Sequence, residues 1–183
     1  MPATTPNWVV FEQKCFQFYQ QRLKLTVRGV GDKAVRAILE IPGWQINLAR
    51  RPEHHAIADQ QEWRKSGARV AGKAADFLVE VSSNHWIIAE AKSSESPDPR
   101  FLDQLANTLL CAQRKKPNII LELHLLIPST VDTHRLFVRD GICYSVESPL
   151  RDLSGFNTGK LVSSAGTYRI SGIPVLVILV PES

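Results

Sequence analysis

Two carboxylates and an amine that could act together stand near the middle of the chain: Asp76, then Glu90-Ala91-Lys92. On a strand, residues i and i+2 share a face, so Glu90 and Lys92 point the same way. Whether Asp76 joins them depends on the register of the hairpin that links the two segments. A two-residue loop of Ser83-Asn84 pairs Asp76 with Ala91 and turns it away from Glu90. A three-residue loop, Ser82-Ser83-Asn84, or a bulge with the same effect, sets Asp76 opposite Glu90, and Asn84 suits the left-handed position that ends such a loop. The second register is the expectation. One face then carries Asp76, Leu78, Glu80, Trp86, Ile88, Glu90 and Lys92, and the other Phe77, Val79, Val81, His85, Ile87, Ala89 and Ala91. Both faces are largely apolar, which predicts an interior hairpin with layers on either side. Two carboxylates and a lysine at its end are costly unless they pair with one another or bind a cation.

Other chemistries find less support. His54 and His55 are adjacent, so they diverge on any regular element, and His124 and His134 read as structural or exposed. The three cysteines (Cys15, Cys111, Cys143) are far apart with no Cys-x-x-Cys pair, which argues against a zinc ribbon or an all-cysteine cluster. There is no Gly-x-Ser-x-Gly elbow and no glycine-rich phosphate loop. Trp8, Trp44, Trp63 and Trp86 read as core or interface residues rather than as base-stacking platforms.

The elements that must position the central triplet follow from periodicity and turn signals. Residues 7–25 predict an amphipathic helix through Trp8, Phe11, Cys15, Phe18 and Leu25, broken by Gly29 and Gly31. A second helix, capped by Asp32, carries Val35, Ile38 and Leu39 as far as Pro42-Gly43. A short helix is expected around 56–65. After the hairpin, Asp98 and Pro99 predict a helix start as N-cap and first helical residue, with Leu102, Leu105 and Leu109 as the buried stripe and an end before Pro117. Asn118 to Ile127 reads as a strand, Arg135 to Val146 as a hairpin turning at Asp140-Gly141, and Tyr168 to Val180 as one or two strands. The fold class is α/β around one mixed sheet, a single domain over residues 1–183.

The chain of 183 residues carries 22 Lys+Arg and 18 Asp+Glu, a net charge of +4. The surplus is uneven, with +6 in residues 1–75 and −2 in residues 76–183. Arg64, Lys65, Arg69 and Lys73 lead directly into the hairpin and would suit a polyanionic partner. The start shows no secretory signal pattern and the longest apolar run, Val175 to Val180, is too short for a bilayer, so a cytoplasmic protein without a membrane partner is expected.

The spacing Asp76-(13 residues)-Glu90-Ala91-Lys92 resembles the PD-(D/E)xK motif of the restriction-endonuclease-like nuclease superfamily, with Ala75 in place of the motif's proline. The resemblance covers the hairpin closely and residues 30–130 in outline, with the strands over 134–180 as additions. It implies a restriction-endonuclease-like mixed β-sheet flanked by helices and a metal-dependent deoxyribonuclease, an endonuclease. In that reading Asp76, Glu90 and the Ala91 carbonyl hold Mg²⁺ or Mn²⁺, and Lys92 acts beside them. Gln104 stands where some members, the RecB-like nucleases among them, carry a glutamine near the metal, although Thr108 replaces the associated tyrosine. An acid on an early helix often completes the site; Glu40 could serve, in competition with Glu12 and Glu62, and an Arg36–Glu40 pair on a wet helix face explains Glu40 equally well. Cutting both strands of DNA would call for a homodimer. The alternative is an inactive nuclease-like DNA-binding or assembly module within a larger defence, repair or mobile-element system.

Overall fold

The computed structural model describes residues 4, 6–40, 74–94 and 97–181, together with the backbone of 44–46 and 69–71. The expected helix around 56–65 and the Pro42-Gly43 stop therefore lie outside the described residues.

The first helix, α1 (Asn7–Gln17), buries Phe11 and Cys15 at i,i+4 spacing and passes into a π-helical turn, Phe18–Arg22. Adjacent Phe18 and Tyr19 are both buried in that wider turn, which no 3.6-residue periodicity would select. Two sequence expectations change here. Trp8 is 56% exposed rather than part of the core, and Leu25 follows the helix rather than ending it. Thr26–Val30, expected only as a break, forms edge strand β1. A Cβ on its Gly29 would stand 3.1 Å from both Ile38 and Val35, so the glycine allows the next helix to lie close on the strand.

That helix, α2 (Asp32–Leu39), has Gly31 rather than Asp32 at its N-cap, because the Asp32 carboxylate accepts the Ala74 N–H instead. The short strands β2 (Trp44–Ile46) and β3 (Arg69–Ala71) pair antiparallel with each other. The central hairpin follows as β4 (Phe77–Ser82) and β5 (His85–Ala91). Helix α3 (Phe101–Lys115) starts two residues later than the sequence suggests, with Arg100 at its N-cap. Asp98 Oδ1 accepts the Arg100 N–H at 3.0 Å and Oδ2 the Arg100 guanidinium at 2.7 Å, so its carboxylate closes the turn ahead of the helix rather than capping the helix itself.

The remaining strands are β6 (Ile120–Pro128), β7 (Phe137–Arg139), β8 (Ile142–Val146), β9 (Arg151–Leu153), β10 (Phe156–Ser163), β11 (Gly166–Thr167), β12 (Arg169–Ile170) and β13 (Ile173–Val180). Among the described residues eleven strands form one mixed sheet with the main order β1-β4-β5-β6-β13-β10-β8-β7. The β5–β6 and β6–β13 pairs are parallel, and the others are antiparallel. Asp140 and Gly141 turn the β7–β8 hairpin with positive φ, as their sequence signals. Arg139 from that hairpin ties it to the start of α3, donating to Asp103 at 2.9 Å and to the Pro99 carbonyl at 3.0 Å.

Helices α2 and α3 cover one face, packing Val35, Leu39, Leu102, Leu105 and Leu109 against Leu78, Trp86 and Ile88. Helix α1 covers the other face, packing Phe11, Cys15, Phe18 and Tyr19 against Phe77, Val79, Ile87 and Ala89. The two faces of the hairpin are thus the two sets the alternation specifies. A polar contact pins α1 to the sheet: the Tyr19 hydroxyl hydrogen-bonds His124 Nδ1 at 2.8 Å, with both residues buried. Glu122 stands 3.5 Å from His124 Nε2 and 2.6 Å from His85 Nε2, carrying the polar file out to the surface. Replacing Tyr19 by Phe strands the buried His124 nitrogen and should cost about 1–3 kcal/mol, read as a lower urea midpoint at unchanged m-value.

Candidate active site

The site forms where β4 begins and β5 ends. The β4–β5 pairing sets Phe77 opposite Ala89 and Glu80 opposite Trp86, whereas Ser82 pairs with His85 across the two-residue turn Ser83-Asn84. The register slips between Glu80 and Ser82, leaving Val81 as a bulge. That extra residue continues the register so that Asp76 stands opposite Glu90, the arrangement expected from the sequence.

Each acid then accepts a backbone N–H from the opposite strand. Asp76 Oδ2 accepts the Ala91 N–H at 2.9 Å, and Glu90 Oε2 accepts the Asp76 N–H at 3.1 Å. Lys92 Nζ lies 2.8 Å from Glu90 Oε1. Glu90 is buried, whereas Asp76 and Lys92 are half-buried and open the cluster to one side.

Neighbouring elements hold Asp76 by its backbone. The Gly31 N–H donates to the Asp76 carbonyl at 2.6 Å. From α3, Thr108 Oγ accepts the Ala75 N–H at 2.9 Å and donates to the Gln104 carbonyl at 2.6 Å. Lys92 is anchored by its own N–H to the Leu126 carbonyl of β6 at 2.9 Å.

Electrostatics follow from this crowding. Burial, reinforced by the charge of Asp76, pushes the Glu90 carboxyl up to about 8, against the pull of Lys92 and the Asp76 N–H. Burial also raises Asp76, offset in part by the Ala91 N–H and Lys92. Burial lowers Lys92, but the Glu90 and Asp76 carboxylates outweigh it and hold the ammonium charged. Glu12 of α1 is raised too, first by burial and then by the charge of Asp76, with Lys92 opposing. Metal-free protein at neutral pH therefore keeps a proton on the acid pair beside a charged lysine.

The other sequence candidates fall differently. Glu40 ends α2 in the left-handed region, exposed, with Lys115 at 3.8 Å; Arg36 pairs with Asp32 rather than with Glu40. Among the described early-helix acids, Glu12, one of the two competitors, feels the charges of Asp76 and Lys92, and Asp32 at the start of α2 acts on Asp76 as well. Gln104 lies half-buried on α3, and its backbone carbonyl serves Thr108. Arg64, Lys65, Lys73 and Glu62 lie outside the described residues, and Arg69 is described only as the backbone start of β3. Thr108 and Asp32 were not foreseen as support, because their roles depend on helices meeting the strand start. The one available signal was Thr108, four residues after Gln104 on the same helix.

Among the described residues no three or more His, Cys, Asp or Glu side chains gather closely enough to hold a metal ion by themselves. Two carboxylates and a neighbouring carbonyl nonetheless suit a hard cation such as Mg²⁺, which keeps several waters and is shared with a phosphate rather than caged by protein. No described helix is long and apolar enough to cross a membrane. No family model, curated protein or solved structure matches the chain. The reading of the site therefore rests on its own residues.

The raised carboxyl has a consequence for stability. Folded protein binds more protons than unfolded chain between the ordinary Glu value of 4.5 and about 8, so metal-free stability falls as pH rises through that window and then levels off. Thermal midpoints measured from pH 5 to 8 in EDTA should show this slope, and Glu90→Gln should remove most of it.

Proposed function

We propose that the chain is a metal-dependent deoxyribonuclease of restriction-endonuclease-like fold, hydrolysing phosphodiester bonds at the Asp76–Glu90–Lys92 cluster. The carrying observation is that the Glu90 carboxylate accepts the Asp76 N–H, the Asp76 carboxylate accepts the Ala91 N–H and Lys92 Nζ lies 2.8 Å from Glu90, at the open end of an interior hairpin. A sheet end that served packing alone would be more stable with apolar residues than with two buried acids. The mixed sheet with helices on both faces supports the fold assignment.

Asp76, Glu90 and the Ala91 carbonyl would hold Mg²⁺ or Mn²⁺, which supplies polarisation of the scissile phosphate and acidifies a nearby water. Lys92 keeps its proton on Nζ, orients the attacking water and offsets charge developing on the phosphate oxygens. Glu90 would hold the cation as a carboxylate, releasing the proton that burial favours, and Glu12 on α1 feels the charges of Asp76 and Lys92. Thr108 and Gly31 keep the Asp76 backbone from shifting as charge in the site changes.

Cleavage of linear, circular, branched and single-stranded DNA, assayed with Mg²⁺ or Mn²⁺ against EDTA, tests the assignment. Lys92→Ala should lower metal-dependent cleavage by about 100-fold or more in protein that circular dichroism still shows folded, with a lower thermal midpoint because buried Glu90 loses its partner. Wild type that cuts no nucleic acid in either metal would overturn the reading. Metal binding should also release protons near neutral pH and strengthen as pH rises toward 8, seen by titration calorimetry in buffers of different ionisation enthalpy.

A further inference from the structure

A crevice of about 310 Å³ adjoins the proposed site at the end of β5. Helix α1 lines one side of it with Asn7, Phe11 and Lys14, and Ser93, Pro128 and Val180 line the other. Those three sheet residues form a row. Pro128 pairs with Val180, and the Lys92 N–H on the Leu126 carbonyl carries the parallel β5–β6 ladder past Ala91, so Ser93 comes level with Pro128. The crevice thus opens at the carboxyl ends of three adjacent parallel strands, where open α/β sheets commonly take their ligands.

Its link to the acids is the chain itself. Ser93 follows Lys92 directly, so their Cα atoms lie about 3.8 Å apart and their side chains take opposite faces. Lys92 turns toward Glu90 on the face covered by α2 and α3, and Ser93 turns under α1. A ligand that reaches both passes over the end of β5. A nucleic-acid strand advances by about 3.4 Å per nucleotide, so a strand held at the triplet brings a phosphate to the crevice within about two or three nucleotides.

The lining chemistry suits a phosphate. Asn7 and Lys14 are two helical turns apart and share one flank of α1. Half-buried Lys14 brings an ammonium, Asn7 a carboxamide and Ser93 a hydroxyl, and none of the described lining residues is acidic. Phe11, Pro128 and Val180 supply an apolar wall against which a sugar packs. A volume at the small end of ligand sites fits one phosphate with its sugar.

We propose that Lys14, with Asn7 and Ser93, holds a backbone phosphate of the substrate strand close to the scissile one. This rests on the nuclease reading and adds a phosphate subsite to it. A phosphate contact fixes the register of the strand without reading its sequence, so the subsite acts alike on all sequences.

The test uses the full chain and DNA oligonucleotides of two unrelated sequences, with binding read by anisotropy in EDTA over a range of KCl concentrations and cleavage read in Mg²⁺. Lys14→Ala should weaken binding of both sequences by about fivefold to tenfold and make the log–log salt dependence shallower by about one, the signature of one lost phosphate contact. Lys14→Arg should restore most of both. In cleavage, Lys14→Ala should raise KM with kcat nearly unchanged. Arg169→Ala, at the opposite end of β13, should leave the salt dependence as it is. Wild type that cuts DNA while Lys14→Ala changes neither KM nor the salt dependence sinks the subsite alone, whether or not the thermal midpoint falls. Lys14-dependent, salt-sensitive binding by a wild type that cuts nothing sinks the nuclease assignment alone. Wild type that binds no DNA sinks both.

Discussion

The costliest thing this fold does is to bring two carboxylates together at the end of an interior hairpin. An acid pair taken from water is tolerated only when its oxygens find donors and its charge is partly removed. Both conditions are met locally. The acids trade backbone bonds across the strand pair, Asp76 with Ala91 and Glu90 with Asp76, and Lys92 supplies the opposing charge. Because each acid is held by the other strand's backbone, the site and the β4–β5 register are one constraint. A slip by one residue would send Asp76 to the α1 face and break both bonds.

Around that constraint the rest of the molecule acts as a clamp. One helical layer reaches the start of β4 through Thr108 and through Asp32 on Ala74, and the opposite layer brings Glu12 over it. The opposite layer is the more delicately attached. Its docking combines an apolar stripe with the buried Tyr19–His124 contact, set where the helix widens by one residue. π-helical turns inside α-helices often mark positions where function has fixed a side chain against local preference. Here the side chain so placed steadies the helix that carries an acid to the site.

Much of this was legible from residue order. Alternation assigned both hairpin faces, but Asn84 does not take the left-handed conformation expected of it: the turn has two residues, and the expected register arises from the alternative, a bulge at Val81. What could not be read depended on partners far away in sequence. Asp32 has the chemistry of an N-cap, but Ala74 recruits it. Asp98 has the same chemistry, but Arg100 occupies it. Trp8 fits the helical stripe of Phe11 and Cys15, yet in the first turn of α1 it is exposed, and the widening that begins at Phe18 separately adds Tyr19 to the buried side. Strand β1 is interrupted by Gly29, and β10 by Gly159 with only Phe156 and Leu161 buried, so neither carries a clear alternation. Glu12 rather than Glu40 faces the acids because α1, and not the end of α2, crosses above β4 and β5.

The placement of β13 matters for how the chain reaches this state. Among the described residues it is the last strand in sequence, yet it lies between β6 and β10 and alone joins the two halves of the main sheet order. Until it inserts, Val175-Leu176-Val177-Ile178-Leu179-Val180 is an apolar, β-branched ribbon with both edges unsatisfied, and β6 and β10 each present an open edge of their own. Completion of the sheet is therefore a late, long-range event, and the period before it is when the protein is most exposed to self-association.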